Sequence, residues 1–202
     1  MRKRLALFGS GRGSNGEAIY KAIEAGHIEG EIVLIISDRS NVGIVEKGCA
    51  WHIPVHVVEP THYGNGEAWT QAMLDILQQY EVDGILLAGY MRILLPRFVQ
   101  AYRGKILNVH PSLLPAFKGM QAQKQALLHG VKYTGCTVHF VDEGMDTGPI
   151  IAQAVVPVYE DDTVDTLSKR ILHEEHRIYP EAVRLFCEDA LEIVEFRVFI
   201  RK

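Results

Sequence analysis

Short apolar runs alternate with stretches of helical spacing through the first half of the chain. Leu5 to Phe8, Ile32 to Ile36, Pro54 to Val58 and Gly84 to Ala88 are almost wholly apolar. Between them, residues 17–25, 42–50 and 68–80 place apolar side chains at helical intervals, most clearly Trp69, Met73, Ile76, Leu77 and Tyr80. Strands without polar alternation are buried on both faces. Strand and helix in strict succession therefore predict a doubly wound, mostly parallel α/β sheet of Rossmann-like type.

The pattern changes after Ile106 to His110, which Pro111 stops. A long loop and one helix, 121–130, precede two runs, Cys136 to Val141 and Ile150 to Val156. Parallel neighbours need a crossover of about a dozen residues. The shorter link here predicts an antiparallel pair in the C-terminal half. Asp162-Thr163 caps a long helix reaching about Phe186, with Pro180 expected to kink or re-register it. Leu191 to Phe196 and Val198 to Ile200 form a terminal hairpin. The whole of 1–202 is expected to be a single domain with two halves, 1–104 and 105–202.

Composition narrows the function classes. The chain has 202 residues, 48% of them hydrophobic, and a net charge of −4, which gives no footing for a nucleic-acid surface. Arg2-Lys3-Arg4 precedes an apolar run too short for a signal peptide, and no stretch approaches the ~20 apolar residues of a membrane helix. Cys49, Cys136 and Cys187 are few and far apart, as expected in a reducing cytoplasm.

The first turn, Gly9 to Gly16, admits two chemistries. Gly11, Gly13 and Gly16 fit a dinucleotide fingerprint, and Asp38 sits where a ribose-binding acid would, so a nicotinamide oxidoreductase is one candidate. Amides at a helix N-terminus, with Ser14 and Asn15 beside them, suit a phosphate monoester better. A nucleoside-triphosphate loop is excluded, because no Lys-Ser/Thr ends the turn.

The histidines do not make a metal site. Pro54 separates His52 from His56, and His173 and His176, flanking Glu174 and Glu175, lack a third ligand. No metal is expected. His110 differs in its company. Strand alternation puts Asn108 on its face, and Asp146 follows on a Gly-flanked loop. An amide and a protonated imidazole stabilise an oxyanion, while a carboxylate orients the ring. No Ser or Cys nucleophile stands out, since Ser112 lies beyond Pro111. Direct acyl transfer between two bound substrates fits this set. Leu86 to Pro96 adds an apolar slot with one Arg and free backbone amides, suited to a flat heteroaromatic ligand.

Ala88-Gly89-Tyr90-Met91-Arg92-Ile93-Leu94, Asn108 to Pro115 and Gly135 to Pro149, with Gly13-Ser14-Asn15, closely resemble the formyltransferase fold family along almost the whole chain. The resemblance implies a phosphate-binding half (1–104) and a catalytic, folate-binding half (105–202). It implies formyl transfer from 10-formyltetrahydrofolate to the amine of glycinamide ribonucleotide, in purine biosynthesis. Gly13, Ser14 and Asn15 would hold the phosphate and Glu175 the ribose. Met91, Arg92, Ile93, Leu94, Asn108, Phe140, Val141 and Asp142 would line the folate site, and Asn108, His110 and Asp146 would carry the chemistry. Both substrates are small molecules, and a homodimer is left open. The chain departs from relatives at Gly66, where many carry a basic residue, and in the loop 117–123, where Gln replaces His. The nearest rival of the same fold is a formyltetrahydrofolate deformylase, which is expected to carry an extra N-terminal domain. A methionyl-tRNA formyltransferase would need a further C-terminal domain and a basic surface.

Overall fold

The computed structural model describes residues 2–201. The chain divides into two compact units, Met1–Leu107 and Asn108–Lys202. Its main sheet has seven strands and is mostly parallel, with one antiparallel pair.

In the first unit, β1 (Lys3–Phe8), β2 (Gly30–Ser37), β3 (Val55–Val57) and β4 (Gly84–Leu87) alternate with α1 (Ser14–Glu24), α2 (Gly43–Ala50) and α3 (Gly66–Gln79), and α4 (Pro96–Ala101) follows. All their pairings are parallel, in the order β3-β2-β1-β4. Leu5, Ala6, Leu7 and Phe8 are completely buried, as are Leu34, Ile35 and Ile36. That is the two-sided burial which uniform hydrophobicity demands.

Two glycines of the first turn have steric reasons. Gly13 caps α1 at φ +72°, and a Cβ there would lie 2.8 Å from Ile44 Cδ1. A Cβ on Gly16 would lie 2.6 Å from Leu7 Cδ2, so this glycine lets α1 approach β1 closely. Helix α1 begins at Ser14, three residues before the sequence pattern becomes helical, because the apolar periodicity starts only after its first turn. Helix α4 and a short 3-10 turn at Pro60–His62 were not expected. Pro96 at the start of α4 was the available signal, since its fixed φ suits a first helical position.

Strand β5 (Ile106–His110) leads into the second unit, where α5 (Ala122–Leu128), β6 (Tyr133–Phe140), β7 (Ile150–Pro157) and α6 (Val164–Cys187) follow. β6 and β7 are antiparallel, running from Tyr133↔Pro157 to His139↔Ile150 with a register shift at Val138/His139. Helix α6 packs on both. It opens on a reciprocal cap between Thr163 and Thr166 and runs as one helix through Pro180. β8 (Leu191–Val194) and β9 (Arg197–Ile200) form the terminal hairpin. Among the described residues no helix is long and apolar enough to cross a membrane.

Candidate active site

The second unit assembles Asn108, His110 and Asp146 around part-buried hydrogen bonds. His110, at the end of β5, is 5% exposed. Its Nε2 donates to the Phe117 carbonyl at 2.8 Å, and its Nδ1 lies 3.4 Å from Asp146 Oδ2. Both ring nitrogens thus face oxygen acceptors, an arrangement that a doubly protonated ring satisfies completely. Asp146 is in turn held by the Gly119 amide, which donates to Oδ2 at 2.8 Å.

His139 was not singled out from the sequence, yet it stands between the other groups. It is 2% exposed. Its Nδ1 donates to the Phe140 carbonyl at 2.8 Å, so Nε2 is the acceptor and takes a hydrogen from Asn108 Nδ2 at 3.2 Å. Burial pushes the His139 pKa down, which keeps the ring neutral as this role needs. The contact fixes which way the Asn108 amide points. The signal for His139 was the same as for His110: one histidine ending an apolar strand.

Loop 111–121 also matters more than its sequence suggested. The buried Thr137 hydroxyl donates to Ser112 O at 2.7 Å and accepts from Leu114 N and Gln153 Nε2, both at 3.0 Å. Ser112 Oγ donates to Ala116 O at 2.6 Å, a structural use that leaves it no part as nucleophile. So anchored, the loop delivers the Phe117 carbonyl and the Gly119 amide. Burial pushes the Cys136 thiol up to about 12, which keeps it from acting as a thiolate.

The remaining expected residues fall as follows. Asp142 Oδ1 accepts from Gly144 N at 3.1 Å and Thr147 Oγ1 at 2.6 Å, bonds that shape the loop carrying Asp146. Phe140 is buried and Val141 half-buried, and Glu175 is buried on α6. In the first unit, Gly13, Ser14 and Asn15 form the start of α1, with Gly13 and Asn15 buried. Met91 and Ile93 are exposed and Leu94 is buried.

Two expectations there need correcting. The Met91 amide is not free, because it donates to Ser10 Oγ at 2.8 Å. Nor is Asp38 open to a ribose hydroxyl, since Arg92 Nε donates to its Oδ2 at 2.7 Å and Arg39 Nη2 lies 3.2 Å from the same oxygen. The glycine fingerprint therefore lacks the acid that a dinucleotide would use. Among the described residues no group of three or more His, Cys, Asp or Glu could hold a metal ion.

Residues 3–183 match the formyl transferase family. A phosphoribosylglycinamide formyltransferase of Bacillus subtilis is 46% identical over 182 residues, covering 90% of this chain and 93% of that protein. The crystal structure of glycinamide ribonucleotide transformylase 1 from Symbiobacterium toebii superposes with a TM-score of 0.97 at 48% identity, covering 100% of this chain and 95% of that one. A formyltetrahydrofolate deformylase from Pseudomonas syringae pv. tomato superposes with a TM-score of 0.92, at 26% identity, over 100% of this chain and 67% of that one.

Proposed function

The chain belongs to the formyl transferase family, and from that premise we propose that it transfers the formyl group of 10-formyltetrahydrofolate to the amine of N1-(5-phospho-D-ribosyl)glycinamide, a step of de novo purine biosynthesis. The observation that carries this is the pairing of an oriented amide, Asn108, with a carboxylate-backed imidazole, His110, on one short strand. The folate supplies an activated formyl carbon. The substrate amine attacks it, and charge gathers on the formyl oxygen as a tetrahedral centre forms.

The residues have separate tasks. Asn108 gives one amide hydrogen to His139 and keeps the other for the oxyanion. Asp146 takes the Nδ1 side of His110, so Nε2–H is the donor left for the substrate. A charged oxygen draws that hydrogen more strongly than the Phe117 carbonyl does. The attacking nitrogen gives up its proton and the folate N10 gains one as the C–N10 bond breaks. Losing one such preorganised donor typically costs about 3–4 kcal/mol in barrier height.

Gly13, Ser14 and Asn15 are proposed to hold the phosphate on the first-turn amides of α1, which favour an anion. Glu175 is proposed for the ribose. Met91 to Leu94 and Phe140 to Asp142 are proposed to line the folate site. These are small-molecule partners met in the cytoplasm, with no metal needed.

Deformylation, with water replacing the amine, is the second reading. The common fold and its use of formyl folate favour it, but 26% identity against 46% and 48% favours the transferase. Mass spectrometry of the products decides between them. The N-formyl ribonucleotide is expected; free formate with unmodified ribonucleotide would overturn the proposal.

A further inference from the structure

Asp38 is a buried acid that the proposed chemistry does not use, and it grips one turn twice. It lies just past the end of β2, 2% exposed as a residue, with its side chain fully covered. Arg92 Nε donates to its Oδ2 at 2.7 Å. The Ser10 hydroxyl also donates to this carboxylate, while Ser10 Oγ accepts from the Met91 amide at 2.8 Å. Consecutive residues of the turn after β4 are thus tied to one carboxylate, Arg92 directly and Met91 through Ser10. The Ser10 amide adds a third tie, donating to the Gly89 carbonyl at 3.1 Å.

The charge on Asp38 is secure. Burial pushes its carboxyl up, but hydrogen bonds from Ser10, Arg39 and Arg92 outweigh that and hold it below the usual carboxylate range. An acid kept ionised out of water is costly unless paired, so its partners are as fixed as it is. Pinning matters for Arg92 in particular. Its side chain is 44% exposed, and a long exposed side chain otherwise spends most of its time among other rotamers. Held by Nε, the guanidinium keeps its two Nη groups in one direction. A planar fork of that kind suits a carboxylate.

The geometry points to Asp38 as a positioning residue for the folate end of the reaction. It sets the Gly89–Arg92 turn and aims the remaining Arg92 donors at a carboxylate of the ligand. This inference rests on the formyl-folate reading.

The test compares Asp38→Asn, Arg92→Gln and the double variant by steady-state kinetics, with amide hydrogen exchange across residues 89–92. Asp38→Asn is expected to raise the KM for 10-formyl folate about tenfold, while kcat and the ribonucleotide KM stay within about twofold. The Met91 amide is expected to exchange faster. The double variant should be no worse than Arg92→Gln, since residues acting as one unit are non-additive. An unchanged folate KM, or independent additive losses, overturns the inference. If the wild-type chain turns over no folate, exchange still decides. Unchanged exchange in Asp38→Asn refutes the hold on the Gly89–Arg92 turn, whereas faster exchange keeps that hold and leaves the missing turnover to refute the formyl-transfer reading and the folate role with it. Should Asp38→Asn fail to fold, Ser10→Ala cuts only the Met91 branch and must raise exchange there.

Discussion

His110 and Asp146 face one another at 3.4 Å, Nδ1 to Oδ2, while loop 117–119 touches both partners. One main-chain carbonyl and one main-chain amide of the same loop therefore set the geometry of the pair. Removing the ring, as in His110→Ala, is expected to leave a folded protein with kcat lowered about 10²–10³-fold. Circular dichroism with steady-state kinetics checks this, and an active, folded His110→Ala would remove His110 from the mechanism.

Asp146→Asn keeps an oxygen that can accept from Gly119 but removes the charge opposite the ring. The expected result is a fall in kcat of at least tenfold, with folate KM within about threefold. A variant that only unfolds would make Asp146 a structural acid.

His139 predicts a pH effect of definite sign. Its folded pKa lies below the ordinary 6.5 because burial disfavours the charged ring. Above pH 6.5 the ring is neutral in folded and unfolded chains alike, and its contribution is fully present. As pH falls from there toward the folded value, the unfolded chain binds a proton that the folded chain refuses, and stability is lost at up to about 1.4 kcal/mol per pH unit. His139→Gln should flatten this slope in urea unfolding between pH 7 and 5, and should also lower kcat by loosening Asn108. Identical slopes in both proteins would contradict the neutral, buried assignment.

Thr137→Val tests how the catalytic loop is anchored. It keeps the shape but leaves the buried Leu114 amide without its acceptor, at an expected cost of about 1–3 kcal/mol. If the loop positions Phe117 and Gly119 as described, kcat falls together with stability. A stability loss with kcat intact would mean that the anchor serves the fold alone.

What was legible in the sequence follows from how local each signal is. Leu5 to Phe8 and Ile32 to Ile36 announce buried parallel strands because their side chains alone say so, and Asn108 with His110 is conspicuous because an amide in an apolar strand is costly to cover. Asp146 was found through its flanking glycines. Arg92 meeting Asp38 was not, because an ion pair across 54 residues depends on which strands become neighbours. The Phe117 carbonyl and Gly119 amide had no signal at all, since every residue offers such groups and only the folded loop selects two of them. His139 had the signal of His110 but lacked an obvious companion until Asn108 was placed beside it.

The central claim is that an amine, not water, receives the formyl group. Absorbance-monitored loss of a 10-formyl folate, with and without N1-(5-phospho-D-ribosyl)glycinamide, tests it most directly. Folate consumption that starts only when the ribonucleotide is added is the predicted result. Consumption at the same rate without it would contradict the account and make the chain a deformylase.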